Sequence, residues 1–257
     1  MKRILALLCV GILAVMMAVG VTAAAVPGIT DNQVVVGAFQ DQSGAAAVVG
    51  INMRKGMEAY FNWVNAQGGV NGRKIKFIVE DDGFQAARAI AATRKLVEQD
   101  KVFALVGTLG TPGVAATIDY IMEKQIPSIY QGSGISALAF PPKKYIFPVQ
   151  PNFISEGRIV ATYVVENLKM KRVALACEQT DIGTEGLRGV REQLAMYKME
   201  PVEVVNFGAA DVDFSSQILK LMRAKPDAVI IYSTLKPAAG FLKQAKVMGL
   251  DAQFLTT

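Results

Sequence analysis

The residues best placed to do chemistry sit in short glycine-bearing loops that follow apolar runs. Val106-Gly107-Thr108-Leu109-Gly110-Thr111-Pro112-Gly113 leads into a helical pattern. Thr111 is a suitable N-cap, and Pro112 at the first helical position has no amide to leave unpaired. Gly110 and Gly113 keep the backbone open to close approach. The free amides and positive end of that helix would attract a carboxylate, although the same residues also describe an ordinary cap. Gln131-Gly132-Ser133-Gly134-Ile135-Ser136 follows the next apolar run and offers backbone groups with two hydroxyls, yet as a turn it needs no function. Gln40–Gly50, with Ser43-Gly44, is a third such loop.

Other chemistries find little support. The glycines at 107, 110 and 113 do not fit G-x-G-x-x-G, and no G-x-x-x-x-G-K-[ST] occurs. Glu80-Asp81-Asp82 reads as a polar strand end and turn, since sequence supplies no third ligand for a metal. The chain contains no His, which removes Ser-His-Asp and Cys-His catalysis and the commonest zinc ligand. Cys177 ends an apolar run and reads as a small buried hydrophobe, not a reactive thiol. No cofactor and no metal are expected, and the chain is read as a non-enzyme.

The elements that must hold these loops form a regular alternation. Strands are expected at Gln33–Phe39, Lys74–Glu80, Val102–Gly107, Pro127–Tyr130, Tyr145–Val149, Arg172–Cys177, Pro201–Phe207, Ala228–Tyr232 and from Ala252. Between them, helices are expected at Ile51–Ala66, Gln85–Gln99, Val114–Lys124, Ile154–Leu168, Glu185–Tyr197, Phe214–Arg223 and Ala238–Met248. Such alternation means βαβ units and parallel sheets, with ligands at the carboxyl ends of strands. Tyr60, Phe61 and Trp63 are expected in the core, and Glu156, Arg158 and Glu166 on a solvated helix face. Between Gln131 and Pro151 the rhythm stops, so two α/β halves are expected to join near Val149–Asn152.

Residues 1–25 read as an export signal. Lys2 and Arg3 precede the apolar stretch Ile4–Val21, and Ala23-Ala24-Ala25 supplies an A-x-A cleavage site. Cys9 is a poor lipidation site with Leu8 before it, and it would leave with the signal. Cys177 then stands alone and no internal disulfide can form. Loss of Lys2 and Arg3 leaves 25 bases against 22 acids, lowering the net charge from +5 to +3. That mild excess forms no basic run with interleaved aromatics, so nucleic acid is not an expected partner. Export to the periplasm also removes the chain from cytoplasmic ATP and NADH. The domains expected are therefore a signal at 1–25, an N-terminal α/β lobe at 26–149 and a C-terminal α/β lobe at 150–257.

Several motifs carry a resemblance. They are Val35-Val36-Gly37-Ala38 with Ser43-Gly44, Asn65-Ala66-Gln67-Gly68-Gly69-Val70-Asn71-Gly72-Arg73-Lys74, and Glu80-Asp81-Asp82. Val106-Gly107 with Thr111, Asp213-Phe214-Ser215 and Gln244-Ala245-Lys246-Val247-Met248-Gly249-Leu250 complete the set. With the signal and the two-lobed pattern, the chain resembles the periplasmic solute-binding proteins of ABC importers, and among them the branched-chain amino-acid (Leu/Ile/Val) binding family. The resemblance implies the two-lobed periplasmic-binding-protein fold, each lobe a parallel sheet flanked by helices. It implies capture of an amino acid or small carboxylate, and delivery to the membrane permease of an ABC importer.

It also implies roles for residues. Thr111 falls on the hydroxyl position that receives the ligand carboxylate, beside Gly110. Gly132 and Ser133 fall beside the amino-acid head group. Val49, Ile182 and Leu235 stand where aromatic residues often line the pocket, Gly134 where some members carry a hydroxyl, and Phe84 and Gly110 where some carry a cysteine pair. Members of that family continue past the last strand seen here, so the chain is expected to lack a C-terminal part. A ligand sensor acting with a receptor or regulator is the alternative expectation.

Overall fold

The computed structural model describes residues 26–256; the expected export signal, with Cys9, lies outside them. The first sheet comprises β1 (Gln33–Gln40), β2 (Lys74–Asp81), β3 (Ala104–Val106), β4 (Ser128–Ile129) and β5 (Ile146–Phe147), in the order β2-β1-β3-β4-β5. The second comprises β6 (Val173–Glu178), β7 (Glu203–Phe207), β8 (Ala228–Tyr232) and β9 (Gln253–Thr256), in the order β7-β6-β8-β9. Every pairing between these strands is parallel. The helices are α1 (Ala47–Ala66), α2 (Ala86–Arg94), α3 (Thr111–Lys124), α4 (Phe153–Thr162), α5 (Asp181–Met196), α6 (Ser215–Ala224) and α7 (Leu235–Val247). Single π-turns, Lys95–Gln99 and Tyr163–Asn167, extend α2 and α4. The fold is α/β, two parallel sheets flanked by helices, as the alternation requires.

Why the central strands read as unbroken apolar runs is plain in the second sheet. Successive side chains of a strand point to opposite faces. Ala174 and Ala176 of β6, with Val229 and Ile231 of β8, pack against Phe214, Ile218 and Phe241 on one face. Val173, Leu175 and Cys177, with Ile230 and Tyr232, pack against Ala161, Val164, Val190 and Leu194 on the other. Burial on both faces leaves no polar alternation to detect. In the first sheet Val35, Phe39 and Leu105 meet Ala89, Ala92, Leu96, Val114 and Ile118.

The opposite face of the first sheet is covered by α1, and here one expectation is corrected. Phe61 is half-buried and meets Phe77 edge-on at 5.3 Å. Tyr60 and Trp63, however, are 61% and 59% exposed and stack on each other at 5.7 Å. Spacing of three places them together on the outer side of the helix, where each covers the other instead of the core.

Close packing in the second lobe relies on glycine. A Cβ on Gly157 of α4 would lie 2.6 Å from the carbonyl oxygen of Gly186, and one on Gly189 would collide with the carbonyl of Ile154. Only hydrogen at these positions lets α4 and α5 approach backbone to backbone. The chain passes from the first sheet to the second through Pro148–Asn152. There the Asn152 side chain accepts from Ser155 N at 2.9 Å and caps α4. Two contacts tie the halves beside this passage: Phe153 N donates to Gly134 O (2.7 Å), and the Glu185 carboxylate accepts from Ser136 N (2.8 Å) and Oγ (2.5 Å). Among the described residues no helix is long and apolar enough to cross a membrane.

Candidate functional site

A cleft lies between the two halves, and its central part encloses about 240 Å³. Thr111, Gly110, Gly132, Ser133 and Val49 line it from the first half, and Ile182 and Leu235 from the second. All seven residues singled out from sequence therefore face one space. Val49 and Leu235 are 38% and 63% exposed, so the cleft stands open. It continues between α3 and α5 past Pro112, Thr180 and Asp181, and on the other side towards Met53, Tyr130 and Gln131.

Five helices start beside this region, and their first amides meet different fates; at α4 the Asn152 side chain accepts from Ser155 N, and Glu156 stands in the first turn. Before α1, Asp41 Oδ1 accepts from Ser43 N (3.1 Å) and Gly44 N (2.5 Å), and Oδ2 from Ala46 N (2.6 Å). At α7, Glu178 Oε2 accepts from Thr234 N (2.8 Å), Thr234 Oγ1 (2.7 Å) and Ser233 Oγ (2.8 Å). The first turn of α5 carries Asp181. The first turn of α3 has no acid, and its intrahelical bonding starts with Val114 N donating to Gly110 O at 2.9 Å. The Thr111 and Gly113 amides are thus left without protein acceptors among the described residues. A helix N-terminus with such free amides attracts negative charge, and the Asp82 carboxylate already stands on its inner side, its Oδ2 2.9 Å from where a Cβ on Gly113 would lie.

Thr111 does not cap α3. The N-cap is Gly110, at φ 115°, a conformation open to glycine, and Thr111 is the first helical residue. Its hydroxyl is free of capping and lies 2.9 Å from Ser133 Oγ, both residues being buried. Ser133 Oγ also accepts from Ile135 N at 3.3 Å. Gly132 has less to offer than expected. Its amide donates to Thr108 O (2.7 Å), and its carbonyl accepts from Gly110 N (3.3 Å), so it joins the two loops instead of presenting a free donor.

Two departures noted from sequence have steric counterparts. A Cβ on Gly110 would meet the Phe84 ring at 3.2 Å, so these two positions are neighbours in space. Phe84 sits in the left-handed region at φ 62°, held by its amide donating to Asp82 Oδ1 at 3.1 Å. A Cβ on Gly134 would lie 2.7 Å from the Phe153 ring, which takes the room a side chain there would need.

Behind α3, Asp41, Asp81 and Asp82 form a carboxylate group whose nearest oxygens lie within 4.8 Å of one another. Sequence could not supply the third member, because Asp41 comes from the end of β1. Burial works against ionisation of Asp81, but hydrogen bonds from Ser43, Gln42 and Gly83 and the Arg88 charge outweigh it and bring its pKa down to about 2. Asp82 is fully buried, and burial, with the Asp41 and Asp81 charges, pushes it up to about 6 despite the Phe84 amide. Its Oδ2 has no partner. Burial likewise pushes the Cys177 thiol up to about 12, which keeps it un-ionised and inert at neutral pH.

Sequence reasoning missed Gln150, Phe153, Glu156, Ser233 and Thr234, which also line the cleft. Glu156 corrects an expectation, for it is half-buried and not on a solvated face, and burial raises its pKa. Its spacing of three from buried Phe153 was a usable signal, since residues three apart share a helix face.

Residues 33–257 match the model of a family described as periplasmic binding proteins. An amino acid binding protein of Pseudomonas aeruginosa is 28% identical over 224 residues, 87% of this chain and 60% of that protein. A Leu/Ile/Val-binding protein of Citrobacter freundii is 28% identical over 222 residues, 86% of this chain and 59% of that protein. A branched-chain amino acid transporter substrate binding protein of Streptococcus pneumoniae, solved with isoleucine, superposes with a TM-score of 0.80 at 27% identity. That match covers 88% of this chain and 64% of the solved one. The chain thus spans about 60% of the length of the curated relatives it matches.

Proposed function

This chain belongs to the periplasmic binding protein family, and we propose that it captures an amino acid or a small carboxylate between its two halves for an ABC importer. The observation that carries this reading is the N-terminus of α3. Its first turn carries no acid, its Thr111 and Gly113 amides have no acceptor among the described residues, and it opens beside the Thr111–Ser133 hydroxyl pair. A ligand carboxylate would accept from those hydroxyls and from the Thr111 and Gly113 amides. Val49, Ile182 and Leu235 would enclose an apolar side chain. Bending about Val149–Asn152 would close the lobes on the ligand, and the closed form would dock on a membrane permease. Export by residues 1–25 would deliver the chain to the periplasm, and no turnover of the ligand is part of this reading.

A thermal-shift screen of amino acids and organic acids tests it. A true ligand at about 100 times its dissociation constant stabilises the native state by roughly 2.7 kcal/mol. A melting temperature unmoved by every member of both panels would sink the proposal.

A further inference from the structure

Beneath the open end of α3 lies a carboxylate that the capture reading leaves unused. Asp82 is fully buried; its Oδ1 accepts from the Phe84 amide at 3.1 Å, and its Oδ2 has no partner among the described residues. That free oxygen is turned to the first turn of α3, 2.9 Å from where a Cβ on Gly113 would stand and 3.9 Å from one on Gly110. One helix end is therefore approached from two sides, by Asp82 from within and by the cleft at Thr111. The charges facing Asp82 are Asp41 at the end of β1, Asp81 beside it on β2 and Arg88 on α2, while the first turn of α3 brings none. Across the cleft Asp181 of α5 lines the space next to Thr111. Asp41 is held by the Ser43, Gly44 and Ala46 amides, and Asp81 by the Gln42 and Gly83 amides, the Ser43 hydroxyl and Arg88. Of the three clustered acids, Asp82 is thus the one with an oxygen free to take a proton. Burial, with the Asp41 and Asp81 charges, already pushes its pKa up to about 6.

We propose that docking of a ligand carboxylate at the α3 end draws a proton from the medium onto Asp82, so that capture is coupled to proton uptake and tightens in acid. The inference rests on the capture reading above and adds its regulation. While the cleft is empty, Asp82 is ionised at neutral pH and its charge sits against the positive end of α3. An arriving carboxylate brings a second negative charge to the same end, and two like charges in a region poor in water repel. Protonation of Asp82 Oδ2 removes one of them and leaves the helix end to the ligand. The bound form then holds its proton more tightly than the free form. Affinity is therefore greatest below about pH 6, falls as pH rises through that value, and levels off once the bound form ionises too.

The test is calorimetric titration of wild type, Asp82→Asn and Glu156→Gln near pH 5.5 and near pH 8. The probes are L-leucine, L-phenylalanine and benzoate, whose carboxyl groups stay ionised throughout. Repeating each titration in buffers of unlike ionisation enthalpy counts the protons taken up. Wild type is expected to bind its best probe about tenfold more tightly at the lower pH, the equivalent of one pKa unit, and to take up protons on binding near neutrality. Asp82→Asn should bind with the same affinity at both pH values and take up none. Glu156→Gln controls for the half-buried acid of the cleft, and should keep both the dependence and the uptake. A wild type that binds equally at both pH values, or without proton uptake, overturns the inference and leaves the capture reading standing. So does a dependence that survives in Asp82→Asn or disappears in Glu156→Gln. Failure of wild type to bind any probe at either pH overturns both readings.

Discussion

Replacing Thr111 by valine removes one hydroxyl and keeps the shape of the side chain. Thr111 is only 5% exposed, so a smaller residue would add a packing defect that valine avoids. Without ligand, the change breaks the 2.9 Å contact between Thr111 Oγ1 and Ser133 Oγ, while Ser133 keeps the Ile135 amide. The stability lost is about 1 kcal/mol, that of one neutral hydrogen bond. With a carboxylate bound, the lost bond is charge-assisted and costs about 1.5–3 kcal/mol, or roughly 10- to 150-fold in affinity. Binding should not vanish, because the Thr111 and Gly113 amides are untouched. Thr111→Ser should stay near wild type, since it restores the hydroxyl. Ser136→Ala provides the comparison: its hydroxyl meets Glu185 and not the cleft, so affinity should move by less than about threefold. Isothermal titration with the leading ligand of the screen reads all four proteins. A Thr111→Val affinity equal to that of Ser136→Ala would refute the assignment of the anion to the α3 end.

Two further outcomes follow from burial. Asp82 binds its proton more tightly when folded, at about 6 against the ordinary 3.8, so its contribution favours the native state in acid and is lost as pH rises through about 6. Asp82→Asn should therefore exceed wild type in unfolding free energy at pH 7.5, by at most about 3 kcal/mol at 1.36 kcal/mol per pH unit, and match it near pH 3.5. Urea titrations at the two pH values check this, and an equal difference at both would count against it. Gly189→Ala forces a methyl group into the Ile154 carbonyl, an overpacking that costs about 3 kcal/mol and lowers the urea midpoint; an unchanged midpoint would show that α4 and α5 can separate freely.

How much of this was readable from sequence depended on where apolar periodicity reached. Strand Ala228–Tyr232 is found at its expected limits, because both its faces are buried and turns bound it. Helix starts are found three or four residues early: α1 begins at Ala47 against Ile51 expected, α3 at Thr111 against Val114, α5 at Asp181 against Glu185, and α7 at Leu235 against Ala238. Those first turns face the cleft and not the core, so the hydrophobic period that marks a helix is absent there. The seven cleft residues came from loop chemistry and resemblance. Glu156 was overlooked because its charge outweighed its spacing, and Asp41 because its partners Ser43, Gly44 and Ala46 join it only once the chain turns.

The open end of α3 gives the cleft a direction. Asp41 and Glu178 accept from amides at the tips of α1 and α7, whereas the Thr111 and Gly113 amides of α3 have no acceptor among the described residues. The α3 end is then, on the capture reading, the berth for an arriving anion, and that berth belongs to the first half. On the capture reading, a ligand would be anchored head-first there before the second half reached it. Closure would then test only the tail, which separates the step that recognises a backbone from the step that recognises a side chain.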